Sequence, residues 1–134
     1  MKIEIHLHFN GCCREAFEFY TKELGGTEVS LLTYGESPAG EHVPEDQQNW
    51  IVHGSMSLGD LVIAGADIMT DYERPAGFNI LLQLENEEDS RTKFALLAEG
   101  GEVIMPLQST FWSPSFGVVR DKFGIPWEVN CSPQ

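Results

Sequence analysis

The chain has 134 residues, enough for one domain with its own hydrophobic core. Hydrophobic residues make up 42% and charged residues 22%, an ordinary globular composition that argues against disorder. Eight basic against 21 acidic residues give a formal net charge of −13, which repels phosphate backbones and anionic lipids. We therefore expect a single domain over residues 1–134 that binds neither nucleic acid nor membrane.

Targeting and redox signals favour a cytoplasmic protein. No apolar run approaches the roughly 20 residues of a membrane span, and the N-terminus lacks the basic start and apolar middle of a signal peptide. Three cysteines, with Cys12 and Cys13 adjacent, do not form a disulfide framework. A helix start can lower a thiol pKa, but we expect Cys13 and Cys131 to pack in the core and Cys12 to have no role.

The first half of the chain predicts a strand, a helix and three further strands. Residues 1–9 alternate between apolar and polar side chains, with Glu4, His6 and His8 on the polar face, as in a half-buried strand. Asn10 is a candidate cap for the helix that follows. The remaining predicted elements are a helix at 12–24 that ends at two glycines, a strand at 27–34, a flexible lid-like loop at 35–48, and a hairpin over 49–58 and 61–66.

The second half repeats this order. The predicted elements are a strand at 78–84, a helix at 86–99, a strand at 102–110, and a hairpin over 111–130. The hairpin turns at Asp-Lys-Phe-Gly, where Gly124 can take a positive φ, and Arg120 beside Asp121 suggests an ion pair. After the turn, apolar residues alternate with Glu128 and Asn130, so Glu128 points away from the apolar side.

The repeat predicts two βαβββ modules, at about 1–66 and 77–134. Glu23–Val29 parallels Ala98–Val103, and each half runs strand, helix, strand, strand, strand. A module this small cannot bury its own sheet, so the two must pack together or pair with another chain. We predict an α+β fold in which the paired modules form a cupped, mostly antiparallel sheet with the helices outside, and a ligand cup where the halves meet.

Several sequence motifs together carry a family resemblance that covers nearly the whole chain. They are Phe9-Asn10-Gly11, Glu15-Ala16-Phe17-Glu18-Phe19-Tyr20, Gly100-Gly101-Glu102-Val103-Ile104-Met105-Pro106-Leu107, Thr110-Phe111-Trp112 and Asp121-Lys122-Phe123-Gly124-Ile125-Pro126-Trp127. With the repeat and the final glutamate strand, the chain resembles the vicinal oxygen chelate superfamily of glyoxalase I, extradiol dioxygenases and bleomycin-resistance proteins. Within it, the motifs resemble the PhnB-like branch, often labelled 3-demethylubiquinone-9 3-methyltransferase-like.

The resemblance implies four metal-ligand positions, on the first and last strands of each half. Glu128 matches the last-strand glutamate, Asn79 stands where the second half would supply histidine, and Ala64 is the approximate mate of Glu128. On the first strand, either Glu4 or His6 takes the position. At most two of the four positions therefore keep ligand chemistry, although Glu128 with His6, His8 or His53 could rebuild a site. A methyltransferase is not expected, because no glycine-rich turn opens a helix.

Two functions of different classes follow. The first is a metal-free small-molecule-binding protein with a polar and aromatic cup, as in bleomycin-resistance relatives, with no cofactor. The second is a metal-assisted lyase, isomerase or dioxygenase that uses Glu128 and histidines. The candidate cup residues are His6, His8, His53, Asn79, Trp112, Phe116 and Glu128. Trp112 and Phe116 could stack on a ligand or equally fill the core or a dimer interface. We also expect a homodimer, because relatives complete their cups with a second chain and because exposed sheet edges and Trp50 need a partner.

Overall fold

The computed structural model describes residues 1–132 and divides into two compact units, Met1–Arg74 and Pro75 onward. The boundary falls inside the segment that the sequence predicts to connect the two modules. The described part of each unit contains one α-helix and one four-stranded sheet. No helix within residues 1–132 is long and apolar enough to cross a membrane.

The first unit is a βαβββ module. Its elements are β1 (Ile5–Phe9), α1 (Cys13–Leu24), β2 (Thr27–Thr33), β3 (Ile51–Leu58) and β4 (Leu61–Asp67). The strand order is β1-β4-β3-β2, with β1 parallel to β4 and the other neighbours antiparallel. The crossover through α1 is what allows the first strand to lie parallel to the last.

The second unit repeats the same topology. Its elements are β5 (Ile80–Leu84), α2 (Glu87–Ala98), β6 (Glu102–Gln108), β7 (Phe116–Arg120) and β8 (Pro126–Cys131). The order β5-β8-β7-β6 again places a parallel pair, β5 with β8, beside antiparallel neighbours. The α+β class and the internal repeat are therefore confirmed, and the structure resolves the predicted sheet into two mixed four-stranded sheets.

Glycines in the strands let each helix lie close to its sheet. A Cβ atom on Gly54 or Gly65 would stand 3.0–3.2 Å from ring atoms of Phe17 or Phe9. In the second unit, a Cβ on Gly117 would stand 2.7 Å from the ring of Phe94. A glycine within a strand commonly marks such a close approach. The rings of Phe17 in α1 and Phe94 in α2 therefore pack directly on strand backbone, and Phe17 is fully buried.

A distant carboxylate, and not Asn10, satisfies the start of α1. Asp67 Oδ1 accepts from the Cys13 backbone N–H at 3.0 Å, and Asp67 Oδ2 accepts from the Ile51 N–H at 2.8 Å. Asp67 ends β4 and is buried, so one side chain joins the helix start to β3 and β4. Burial, followed by the nearby Asp67 charge, raises the pKa of the Cys13 thiol. This agrees with the expectation that Cys13 packs in the core, and Cys12, Cys13 and Cys131 form no disulfide within residues 1–132.

Two features of the first unit differ in detail from the sequence-based prediction. Strand β1 begins at Ile5, and Ile3, which the alternation placed on the apolar face, is 78% exposed because the pairing with β4 starts at Ile5 opposite Ile63. The segment 35–48 carries two short 3-10 helices, Pro38–His42 and Glu45–Gln47. The Gln48 amide fastens them by donating to the carbonyls of Gly40 (2.9 Å) and Val43 (2.7 Å). The mobility of this segment stays a prediction.

The turn between β7 and β8 is organised by the buried Asp121. Its Oδ1 accepts from the backbone N–H groups of Phe123 (2.9 Å) and Ile125 (3.0 Å), and its Oδ2 accepts from Trp127 Nε1 at 2.8 Å. Gly124 takes φ +93°, as the turn sequence predicts. The predicted ion pair of Arg120 with Asp121 is wrong. Strand alternation turns the two side chains to opposite faces, and Arg120 bonds carbonyl groups instead.

We expect Asp121→Ala to lower the free energy of unfolding by at least about 3 kcal/mol, because it leaves three buried donors without an acceptor. Urea titration followed by tryptophan fluorescence measures the change. Asp60→Ala is the matched control, because Asp60 lies exposed in the other hairpin turn, and it should cost less than about 0.5 kcal/mol. Equal losses in the two variants would contradict the role given to Asp121.

Candidate functional site

Three imidazoles cluster on the exposed face of the first sheet. The ring centroids of His6 and His8 lie 5.3 Å apart, and those of His6 and His53 lie 6.3 Å apart. Because β4 runs between β1 and β3, His6 and His8 on one side and His53 on the other flank the small residues Ala64 and Ala66. We call His6, His8 and His53 the histidine cluster.

The surroundings of His6 disfavour protonation of its imidazole ring. Burial is the largest cause that lowers the pKa of His6, and the neighbouring His8 and His53 lower it further because adjacent positive charges repel. The His6 ring is therefore held toward its neutral form, which can accept a hydrogen bond or ligate a metal through one nitrogen.

The strand pairing shows which positions of the first unit are equivalent to positions of the second unit. Ala64 lies opposite His6, the second residue of β1, and Glu128 lies opposite Leu81, the second residue of β5. The sequence-based match of Ala64 with Glu128 therefore agrees with the register. By the same count Asn79 corresponds to Glu4, which precedes β1 and forms an ion pair with Lys2 at 3.2 Å.

A row of polar side chains lies along β5 and β8 on the second sheet. Asn79 Nδ2 donates to Glu128 Oε1 at 3.5 Å, a long contact, and Asn130 Nδ2 donates to Gln83 Oε1 at 2.7 Å. The pairing places Gln83 directly opposite Asn130. We call Asn79, Gln83, Glu128 and Asn130 the β5–β8 strip. It is the face opposite to the buried Trp127 and Val129, so the predicted orientation of Glu128 is confirmed.

Aromatic rings border the β5–β8 strip. Phe116 lies opposite Asn130 on the neighbouring strand, and Trp112 contacts Phe116 edge to face with ring centroids 5.1 Å apart. Trp112 is 45% exposed, so it is not a core residue, and the Phe111 ring also contacts it edge to face with centroids 4.6 Å apart. An exposed tryptophan held in this way offers a rigid surface for stacking.

Sequence reasoning missed Gln83, Asn130 and Arg120 as members of this surface, on which Arg120 lies opposite Pro126 of β8. The signal was available for Asn130, because strand alternation places it on the face of Glu128. The other two depend on pairing between strands, which the sequence does not specify.

The donor atoms do not match the four-ligand metal centre that the resemblance implies. Ala64 supplies no donor, and the neighbour of Glu128 within its unit is the amide of Asn79. Among residues 1–132, no three His, Cys, Asp or Glu side chains are arranged to hold a metal ion. We therefore derive no chemistry through a metal. The convergence of the histidine cluster and the β5–β8 strip on one cup stays a prediction.

Comparison with known proteins identifies relatives over nearly the whole chain. The model of the Glyoxalase/Bleomycin resistance protein/Dioxygenase superfamily matches residues 8–129. Protein YjdN of Escherichia coli K12 is 32% identical over 145 residues, which cover 100% of this chain and 97% of YjdN.

Two solved structures share both the fold and the length of the chain. Protein PA1353 from Pseudomonas aeruginosa is 37% identical with a TM-score of 0.83, covering 99% of this chain and 100% of that one. The PhnB protein from Bacillus cereus, which carries a provisional 3-demethylubiquinone-9 3-methyltransferase name, is 26% identical with a TM-score of 0.82, covering 98% and 100%.

We expect His8→Gln to raise the pKa of His6, because the substitution removes a neighbouring positive charge. Proton NMR titration of the imidazole resonances measures the shift. His42→Gln is the matched control, since His42 lies exposed in the first 3-10 helix, and it should leave the His6 pKa unchanged. An unchanged or lower His6 pKa in His8→Gln would contradict the electrostatic coupling of the cluster.

Proposed function

Because the chain belongs to the glyoxalase/bleomycin resistance/dioxygenase superfamily, with PhnB-like structural neighbours, we propose that it is a small-molecule-binding protein without the superfamily's metal centre. The observation that carries this proposal is Ala64. The strand pairing gives it the place in the first sheet that Glu128 has in the second, and a methyl group cannot bind a metal.

The chemistry of the second sheet supports an organic ligand. Small-molecule sites combine apolar and aromatic walls with a few placed polar groups. The β5–β8 strip supplies one carboxylate and three carboxamides, while Phe116 and Trp112 supply the aromatic wall. The superfamily to which the chain belongs includes bleomycin resistance proteins.

A metal-dependent lyase, isomerase or dioxygenase is the second candidate. The histidine cluster favours it, because three neighbouring imidazoles, one of them with a lowered pKa, are a common source of metal ligands. Glu128 would then be the carboxylate of the centre. The donor arrangement described above argues against this candidate.

Methyltransferase activity forms no part of the proposal. Gly25 takes φ +81° and caps the end of α1, and Gly100 takes φ +73° just after α2. Both glycine pairs therefore terminate helices. A cofactor of the S-adenosylmethionine type needs the opposite, a glycine-rich turn at the start of a helix.

We also propose that the protein is a cytoplasmic homodimer. Strands β2 and β6 lie at sheet edges, and β6 exposes Val103, Ile104 and Met105 in succession. An exposed apolar edge strand is a site for association. Trp50 gives less support than the sequence suggested, because a Cβ atom on Gly11 would stand 2.7 Å from its ring, so Trp50 packs within its own unit.

The first test measures metal content and ligand binding on one preparation. Protein purified without an affinity tag should contain far less than one zinc, nickel, iron or manganese ion per chain. A thermal-shift screen of aromatic metabolites and antibiotics in excess EDTA should still give compounds that stabilise the native protein. That stabilisation should fall in Glu128→Gln.

The control for this screen is Glu99→Gln, which changes the net charge equally at an exposed carboxylate just after α2. It should bind the same compounds as the native protein. Stoichiometric metal that is lost on Glu128→Gln would overturn the metal-free proposal in favour of the metal-dependent enzyme.

The second test is the oligomeric state. Sedimentation at micromolar concentration should give twice the 15.0 kDa mass of one chain. Ile104→Lys should shift the protein toward monomer, because Ile104 is 50% exposed on the edge strand and a lysine charge opposes burial there. Ala95→Lys, on the exposed side of α2, should remain dimeric. A native monomer would contradict the dimer.

A further inference from the structure

Arg120 is held in place by neutral groups alone. Its Nη1 donates to the carbonyl oxygens of Pro75 at 2.7 Å and Gly124 at 2.8 Å. Its Nε is buried and has no hydrogen-bond partner, and no ion pair to Arg120 occurs within residues 1–132. Although the chain has 21 acidic residues, the Arg120 guanidinium is held without a carboxylate partner in the described residues.

A second buried polar atom without a partner lies on the same face. Asn130 Oδ1 has none, while Asn130 Nδ2 bonds Gln83. Turning the Asn130 amide over would leave its Nδ2 without a partner instead and would place its Oδ1 against Gln83 Oε1, where two acceptors cannot bond. Arg120 Nε and Asn130 Oδ1 are the two buried side-chain atoms without a partner in the described part of the chain. Folded proteins pair nearly all such atoms, so two on one face need an explanation.

Glu128 lies between these two residues. Val118 is opposite Glu128 and Phe116 is opposite Asn130, while Arg120, opposite Pro126, is the diagonal neighbour of Glu128. The backbone positions of diagonal neighbours on adjacent strands are about 7–8 Å apart. The carbonyls of Pro75 and Gly124 hold the guanidinium, and no ion pair joins it to Glu128. Two opposite charges therefore lie on one half-buried face of the second sheet, with no ion pair between them.

We propose that this surface binds an aromatic zwitterion, which deepens the proposed small-molecule function and rests on it. The anionic group of the ligand pairs with Arg120, and its ammonium group pairs with Glu128. The aromatic group lies against Phe116 and Trp112, and a polar group of the ligand bonds Asn130. A ligand with a single charge would leave either Arg120 or Glu128 without a counter-charge in a partly desolvated site.

A dipeptide carries its two charges at opposite ends of a short chain. Two extended residues span about 7 Å, the same scale as the backbone separation of about 7–8 Å between the diagonal positions of Arg120 and Glu128. The probe is phenylalanyl-glycine, a zwitterion at pH 7. Its three matched forms are the N-acetyl peptide, which is an anion, the C-terminal amide, which is a cation, and the N-acetyl amide, which is neutral.

Isothermal titration of the native protein in EDTA tests the charge rule directly. We expect the zwitterion to bind at least about tenfold more tightly than either singly charged form, the scale of one charge-assisted hydrogen bond. The neutral form should bind most weakly. Equal affinity for all four forms, tighter binding of a singly charged form, or no binding of any form at millimolar concentration would overturn the zwitterion assignment.

Two variants separate the two charges. Glu128→Gln should weaken binding of the zwitterion and the cation and leave the anion unchanged. Arg120→Gln should weaken binding of the zwitterion and the anion and leave the cation unchanged. Glu99→Gln and Arg91→Gln, exposed after and within α2, are the charge-matched controls and should leave all affinities unchanged.

Different results would overturn the zwitterion assignment and the proposed small-molecule function. Because Arg120 also ties the β7–β8 turn to Pro75, its variant can lose stability, and the native four-probe series then decides alone. Metal-independent binding of compounds with a single charge would keep the small-molecule function and overturn the zwitterion. Stoichiometric metal lost on Glu128→Gln would overturn the proposed function itself.

Discussion

The carboxylate of Asp121 is the constraint on which the second sheet depends. One buried side chain receives two backbone N–H groups of the turn and the indole N–H of Trp127. It thereby fixes how β8 leaves the turn and which way Trp127 points. Since side chains alternate along a strand, a buried Trp127 requires that Glu128 lie on the other face, and Asn130 with it.

The first sheet uses a carboxylate for a comparable purpose but carries different chemistry on its face. Asp67 ties the start of α1 to β3 and β4, just as Asp121 ties a turn to β8. Yet positions that hold Glu128 and Asn130 in the second sheet hold Ala64 and Ala66 in the first. The two units therefore share their topology, while these faces carry different chemistry, imidazoles in the first sheet and amides with a carboxylate in the second.

Much of the fold could be predicted from local patterns. Apolar alternation placed the strands, helical spacing and terminal glycines placed α1 and α2, and the parallel between residues 23–29 and 98–103 showed the repeat. The predictions that failed concern positions whose hydrogen-bond partner is distant in the sequence. Asn10 was the nearest cap candidate for α1, but Asp67 supplies the acceptor from 54 positions away.

The candidate site was predictable only in part for the same reason. Alternation put Glu128 and the histidines on exposed faces, and the structure brings His6, His8 and His53 together. The proximity of Arg120 in sequence to Asp121 suggested an ion pair, although the two residues face opposite sides of the sheet. Only the pairing of β5, β7 and β8 relates Gln83 and Arg120 to Glu128. The roles of these residues in ligand binding stay predictions.

We propose that Glu128 recognises an organic ligand and does not complete a metal centre. The most direct measurement is a Mn²⁺ titration followed by electron paramagnetic resonance, because bound Mn²⁺ loses the sharp signal of the free ion. We predict that native protein and Glu128→Gln deplete the free signal equally and only weakly at micromolar concentration. Depletion by the native protein of one Mn²⁺ per chain, abolished in Glu128→Gln, would contradict the account.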